Sequence, residues 1–405
     1  MGIKMNILVI GNGFDLAHGL PTTYKDFLRF TAEFDKYRQA KKEGSELAWG
    51  DNSESGYYRY FWKLYNKRNS DVNVNKLLSE MESLTNNNIW LKYFQEVYEG
   101  RKESGKDGWI DFESEISRVV QTLDDARHTI AEQINRGEKK GKMTQQQFDI
   151  LRPLFRKDWS KNFEETLFEA KAINYRKELL LKDLKRLVRC LEIYLSDYIF
   201  NLEVSRLLPD IESLPIINKV LSFNYTGTYE NNYNKNPYLE VDYIHGRADI
   251  DNTIDTNNLV LGIDEYLKGE ARNEDIEFIE FKKFFQRIHK ETGCLYKSWL
   301  AKMEEQKEIK EITSIHKNED GTISHTEEYV RYHKLFFFGH SLDITDKDII
   351  RDLILADRMQ TTIFYMDKID FGRKIANLVR VIGQDEVIER TGGKTKTIVF
   401  KQITK

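Results

Sequence analysis

Several things are scarce in this chain, and each scarcity narrows the reading. There are only two cysteines in 405 residues, Cys190 and Cys294. They form no CxxC pair and no His/Cys cluster, so no zinc or other metal site is expected. So few thiols fit a reducing, cytoplasmic compartment. Proline occurs five times, which argues against a loop-rich all-β protein. No apolar run approaches the roughly twenty residues that span a bilayer, so no membrane partner is expected. The run 5–10 is too short, and too soon interrupted by glycine, for a signal peptide. Neither charge sign dominates: 62 Lys and Arg stand against 66 Asp and Glu, for a net charge of −4. That balance gives no strong nucleic-acid or anionic-membrane signal.

What is present points to a mixed fold. Aromatic residues make up 12% and charged residues 32%, a composition suited to long solvated helices around a sizeable core. Two classes of apolar segment alternate. Short, β-branched or aromatic runs lie at 6–10, 219–223, 241–245, 259–261, 334–338 and 361–366, with an edge-strand candidate at 397–402. Each of the six runs leads into Gly, Asn or Asp. Near-continuous apolar runs of this length suit strands buried on both faces of a parallel sheet. Residues 112–134, 180–202 and 274–303 instead carry apolar residues at three- and four-residue steps, as amphipathic helices do. Residues 308–332 alternate about Asp320-Gly321, which predicts a β-hairpin.

The predicted fold class is therefore α/β: a Rossmann-type parallel sheet flanked by helices. The first strand lies near residue 8 and the next near 221, so the chain between them reads as an insertion. The expected organisation is a discontinuous nucleotide-binding domain of 1–40, 211–265 and 333–405, a helical insertion of 41–210, and a helix-plus-hairpin insertion of 266–332. Residues 110–208 are expected to be almost wholly helical and to act as a lid.

Four strand ends carry the candidate chemistry. After the first strand comes Gly11-Asn12-Gly13-Phe14-Asp15, continuing through His18-Gly19-Leu20 to Pro21. Glycines after a buried strand allow a sharp turn and close approach to a phosphate, although tight turns need glycine for steric reasons alone. Asp15 is a candidate for a ribose hydroxyl or for a helix cap. After the second strand comes Phe223-Asn224-Tyr225-Thr226, where Asn224 either serves a site or ends the strand in an Asx-turn. After the third comes His245-Gly246. After the late strand comes Gly339-His340-Ser341-Leu342-Asp343, with Asp346 following. Ser341 suits phosphate or ribose oxygens, Asp343 or Asp346 a helix cap, and His340 an adenine ring or the surface. Gly262 and Asp264 follow a short apolar run, and Asp264 suits a ribose hydroxyl or a cap. Asp111 reads as the N-cap of a long helix, with Glu113 in its first turn.

The ordered set resembles the sirtuin NAD-binding domain. The frame Gly11, Gly13, Asp15, Gly19, Leu20, Pro21 keeps the intervals of the sirtuin Gly-x-Gly-x-Ser…Gly-Ile-Pro element, with Asp15 in place of Ser. Asn224 matches the functional Asn of the sirtuin Gln-Asn-Ile-Asp element and of the Asn-Tyr-Asp in bacterial sirtuin-like NAD-cleaving enzymes, with Thr226 in place of Asp. His245-Gly246 matches the catalytic His-Gly pair, and Gly339–Ser341 the late Gly-x-Ser loop. Nearly the whole chain also resembles the bacteriophage abortive-infection family AbiH, through GNGFD, HGLPTTY, WIDFE at 109–113, SFNYT, IHG, LGIDE, FFQRIHKETG and GHSLDITD.

These resemblances imply anti-phage defence. They also imply an NAD glycohydrolase that releases nicotinamide and ADP-ribose, with catalytic Asn224 and His245. The ligand residues implied are Gly11, Asn12, Gly13, Phe14, Asp15, Pro21, Thr226, Gly246, Gly262, Asp264, Gly339, His340, Ser341 and Asp343. Gln286, Arg287, Asp111 and Glu113 join the candidates on the AbiH resemblance alone. Protein deacetylation is disfavoured because the four zinc cysteines are missing. Other readings stay open: a non-catalytic nucleotide sensor that recognises a phage component, with NAD or a related nucleotide as ligand, and assembly into a homo-oligomer. A nuclease is disfavoured by the acidic balance and the lack of clustered metal carboxylates.

Overall fold

The structure, a computed structural model, describes residues 4–43, 56–103, 110–139, 141–155, 170–305, 310–318, 320–329, 332–393 and 396–404. Trp109 of the WIDFE segment lies outside the described residues. The chain divides into two compact units. One comprises Met1–Pro21, Leu202–Arg247 and Glu291–Lys405; the other Thr22–Asn201 and Ala248–Lys290.

The strands, in chain order, are β1 (Asn6–Ile10), β2 (Lys219–Ser222), β3 (Glu240–Tyr243), β4 (Lys310–Lys317), β5 (Ile323–Tyr329), β6 (His333–Phe338), β7 (Met359–Tyr365) and β8 (Ile398–Gln402). Six of them form one sheet in the order β3-β2-β1-β6-β7-β8, and every pairing in it is parallel. With the hairpin strands left out, that order reads 3-2-1-4-5-6, the doubly wound arrangement of dinucleotide-binding folds. β1 lies centrally and β8 at an edge. β4 and β5 pair antiparallel, and Gly321 lies in their turn at φ +83°; only glycine holds that backbone without strain.

Side chains alternate across a strand with period two, and the apolar runs therefore feed two cores. Ile7, Val9, Leu221, Leu335, Phe337 and Ile363 face one cluster, which helices Leu295–Glu304, Lys347–Leu355 and Lys368–Ile382 cover. Leu8, Ile10, Val220, Phe336, Phe338 and Phe364 face the other, with Phe14, Ile211, Tyr229 and Tyr233 against them. A strand buried on both faces needs no polar alternation, which is why these runs are continuous.

The second unit is helical. Its helices include Tyr24–Glu43, Gly56–Lys67, Val72–Thr85, Ile89–Glu103, Phe112–Asn135, Gln145–Leu151 and Ala170–Ile193, the last running into a π-helical turn, Tyr194–Ile199, with the short helices Ala271–Glu274 and Lys283–His289 later in the chain. Phe94 and Phe112 stack with ring centres 4.0 Å apart, and Phe30 and Phe61 lie 4.8 Å apart in the same unit. Asp111 caps the helix Phe112–Asn135 by accepting the Glu113 amide at 3.1 Å.

Two expectations need correction. Residues 259–261 form no strand. Leu259, Val260 and Leu261 are fully buried, but within the helical unit, where Leu261 N–H donates to Gln286 Oε1 at 3.1 Å. An apolar triplet buried on all sides carries the same signature as a sheet strand. Residues 200–208 are not helical either; the helical run ends with the π-turn.

His333, at the start of β6, is fully buried, and its Nδ1 accepts the Met5 amide at 3.1 Å. Burial, helped by the charge of Arg358, pushes its pKa down from 6.5 to about 4. The unfolded chain therefore binds the proton more readily between those values. This contribution to stability is complete above about pH 6.5 and is lost as pH falls toward 4. Thermal unfolding of the wild type at pH 7 and pH 5 should show a larger drop than the same comparison for His333→Asn. Equal drops would remove His333 as a source of acid sensitivity.

Candidate functional site

The carboxyl ends of parallel strands present their loops at one edge of a sheet, where open α/β folds bind ligands. β1, β2, β3 and β6 are neighbours, and their trailing loops hold Gly11–Asp15, Phe223–Thr226, His245–Gly246 and Gly339–Asp346. All of these belong to the sheet unit.

The loop after β1 is tied to the loop after β6. Gly11 N–H donates to Phe338 O at 3.3 Å, Gly13 N–H to Gly339 O at 2.9 Å, and Phe14 N–H to Gly11 O at 2.8 Å. A Cβ on Gly13 would stand 2.8 Å from Gly339 O, and one on Gly11 would stand 2.8 Å from His340 Cα. These glycines let two loops pack backbone to backbone. The expected phosphate cradle is corrected on this point: three of its amides are spent inside the protein. Asn12 is exposed beside them. The Phe14 side chain is fully buried against Phe338 and Tyr233, so it contributes to the core and not to a ligand surface.

The following His18-Gly19-Leu20-Pro21 segment is a structural lock. His18 is buried, with Nδ1 2.6 Å from Phe14 O and Nε2 2.6 Å from the Tyr233 hydroxyl. Leu20 is buried and Pro21 half-buried at the end of this segment.

Asp15 neither caps a helix nor faces solvent. It is 1% exposed, and the Thr226 hydroxyl donates to its Oδ2 at 2.6 Å. Burial pushes its pKa up, against the opposing pull of Thr226, Thr228 and Asn224. Asn224 is 5% exposed. It stands near enough to Asp15 to favour the ionised carboxyl, yet neither its Oδ1 nor its Nδ2 makes a hydrogen bond, and Asp15 Oδ1 makes none either. The backbone of Asn224 is held separately, its N–H donating to Ser222 Oγ at 3.2 Å. Buried polar atoms without partners are costly, roughly 1–3 kcal/mol each, and native proteins keep them where something else supplies the partner.

His245 is buried after β3, with the Phe223 and Tyr225 rings centred 5.7 and 6.4 Å from its own. Its Nε2 lies 3.8 Å from Asp346 Oδ1. His340 is buried too, and its Nε2 lies 3.5 Å from Asp346 Oδ2. Asp343 caps the turn Ile344–Asp346 by accepting the Thr345 amide at 3.2 Å. Asp346, which sequence position marks as a cap, makes no capping hydrogen bond for the helix Lys347–Leu355. Its carboxylate turns instead between the two histidines. Lys374 Nζ donates to His340 O at 2.7 Å. Thr228, Asp346 and Lys374 are thus residues that sequence reasoning left out of the site. Ser341 is exposed, and its carbonyl accepts from Asn377 Nδ2 at 3.0 Å.

Other candidates belong to the helical unit. Gly262 and Asp264 are among them; a Cβ at Gly262 would stand 2.6 Å from Phe281 O, which accounts for that glycine by packing. In the same unit Glu113 pairs with Lys283 at 2.7 Å. Gln286 supports the backbone of Leu261, and Arg287 belongs to this unit as well. Asp124, His128 and Asp275 converge there closely enough to hold a cation. The Arg127 guanidinium bonds both carboxylates and supplies the compensating charge from the chain itself.

The order of these motifs along the chain extends to the family level. Residues 7–367 match the family described as Bacteriophage abortive infection AbiH. The chain belongs to the AbiH family. The match spans the four strand-end loops and both units, so this AbiH chain is a phage abortive-infection defence protein. No curated protein and no solved structure matches it. Among the described residues, no helix is long and apolar enough to cross a membrane.

Proposed function

We propose that this AbiH chain hydrolyses the N-glycosidic bond of NAD, giving nicotinamide and ADP-ribose, on a sirtuin-like site at the strand ends of the sheet unit. The observation that carries the reading is Asn224: a buried amide with two unpaired polar atoms, one strand away from a buried histidine. A ribose with its hydroxyls and an attacking water supply the partners that such an amide lacks. The groups also suit a neutral or hydroxylic ligand part: an amide, and a carboxyl that burial inclines toward its protonated form.

In this reaction the bond from the anomeric carbon to the nicotinamide nitrogen breaks, and the cationic ring leaves as neutral nicotinamide. Water attacks the oxocarbenium-like carbon and gives up a proton to His245, whose imidazole suits a base near neutral pH. Asn224 orients the ribose or that water. With the Gly11, Gly13 and Phe14 amides already committed, the pyrophosphate falls to the exposed Ser341 side chain after β6.

Incubating the purified full chain with NAD and separating the products by chromatography tests the reading. Nicotinamide and ADP-ribose are expected in equal amounts. Heat of binding without either product would replace hydrolysis by the nucleotide-sensor reading, and neither product nor binding would remove NAD altogether.

A further inference from the structure

Asp346 is a carboxylate placed between two imidazoles, and one of those rings has a defined proton. His340 Nδ1 accepts the Leu342 amide at 2.9 Å. An accepting nitrogen carries no hydrogen, so the proton of that ring sits on Nε2, facing Asp346 Oδ2 3.5 Å away. The ring is also held in place. Lys374 Nζ donates to His340 O at 2.7 Å, Phe223 lies 4.3 Å from the ring between centres, and Asn377 fixes the next carbonyl. Leu342, fully buried, adopts φ +58° to bring its amide back onto His340. A non-glycine residue in that region costs of order 1–3 kcal/mol, and such strain persists where surrounding structure imposes it.

One oxygen of Asp346 faces His340 Nε2 at 3.5 Å, and the other faces His245 Nε2 at 3.8 Å. That separation is too long for a direct hydrogen bond and short enough for an ion-pair field. A carboxylate beside one ring nitrogen favours the proton on that nitrogen. We propose that Asp346 is a positioning residue that fixes His245 as its Nε2–H tautomer, with Nδ1 carrying the lone pair that accepts the proton, and that His340 clamps Asp346 for this task. The catalytic part rests on the NAD-hydrolysis reading; the tautomer does not.

Groups facing His245 include Asp346 from the Ile344–Asp346 turn, His340 across that carboxylate, and the Tyr225 and Phe223 rings after β2. Lys374, from the helix Lys368–Ile382, stands behind His340. Asp346 contributes the negative charge of this set, so its removal should ease deprotonation of His245.

Long-range proton–nitrogen correlation on the full chain with 15N-labelled histidine reads the tautomer directly, with His245→Gln identifying the signal. In the wild type, His245 Nε2 should be protonated and Nδ1 should not. Asp346→Asn should lower the His245 titration midpoint by about one unit. If nicotinamide is released, this variant should lose roughly 10–100-fold in kcat, keep KM within about threefold, and move the acid limb of its pH profile down. A protonated Nδ1 in the wild type overturns the proposal, even should the variant fail to fold. An unchanged midpoint in a folded Asp346→Asn also overturns it. Absence of turnover in the wild type strikes the NAD reading alone, because the spectrum still decides the tautomer.

Discussion

His245→Gln is expected to lower nicotinamide release by about 10²–10⁴-fold, with the melting temperature within about 2 °C of wild type. Glutamine keeps much of the size and hydrogen-bonding capacity of histidine but cannot take a proton near neutral pH. The stability cost should be small because His245 follows β3 rather than lying within it, and glutamine fills most of the same space. Asn224→Ala should fall by a comparable factor for a different reason. It removes a buried amide that meets no hydrogen-bond geometry and whose influence on Asp15 is small beside burial, so stability should change little while ribose orientation disappears. The rival account gives His245 a steric role only, as a support for Phe223 and Tyr225. Full activity in a folded His245→Gln would favour that account and remove the general base.

The sheet was legible because its strands are buried twice over. Ile7 and Val9 feed one core, Leu8 and Ile10 the other, so the run 6–10 has no polar break for a helix or a surface strand to explain. The same logic misread Leu259, Val260 and Leu261. Burial on all sides is not unique to a sheet, and nothing local separates that triplet from β2. The hairpin at Asp320-Gly321 was legible for a sounder reason, since its turn requires a positive φ that glycine supplies. The end of the long helix before residue 200 was not, because the π-turn Tyr194–Ile199 is built from aromatic packing with no breaker residue inside it.

Within the site, residue types at strand ends were readable and their partners were not. Asn224 and His245 stand out by position, directly after apolar runs. Asp346 does not: an aspartate just before an amphipathic helix is what a cap looks like, and only the folded chain shows that Asp343 caps the preceding turn while Asp346 turns toward His245 and His340. The partner of Asp15 was equally hidden. A carboxylate in a glycine loop reads as a ligand for a ribose hydroxyl or as a helix cap; it is no cap, and the short helix Asn12–Ala17 directs it inward onto Thr226, 211 residues away in sequence.

The largest stability effect is expected at Gly339, and it bears on what the glycines are for. Gly339 sits at φ +68°, and a Cβ there would lie 2.1 Å from Phe14 N and 2.5 Å from Gly13 C. No rotamer relieves a collision between backbones. Left-handed strain costs of order 1–3 kcal/mol and overpacking a further 1–3 kcal/mol, so Gly339→Ala should destabilise the protein by roughly 2–6 kcal/mol. Gly13→Val should also destabilise it, since its Cβ meets Gly339 O at 2.8 Å. Gly372 is the internal control. It lies inside the helix Lys368–Ile382 with nothing within 4 Å of its would-be Cβ, and Ala there should add about 0.5–1 kcal/mol. Urea unfolding of the three variants separates two accounts of the motif. If the glycines join the loops after β1 and β6, the urea midpoint falls for the first two and NAD binding falls only as the fold does. If they serve to admit a phosphate, Gly13→Val keeps its midpoint and loses the ligand. The Gly13 amide, already bonded to Gly339 O, argues for the first outcome.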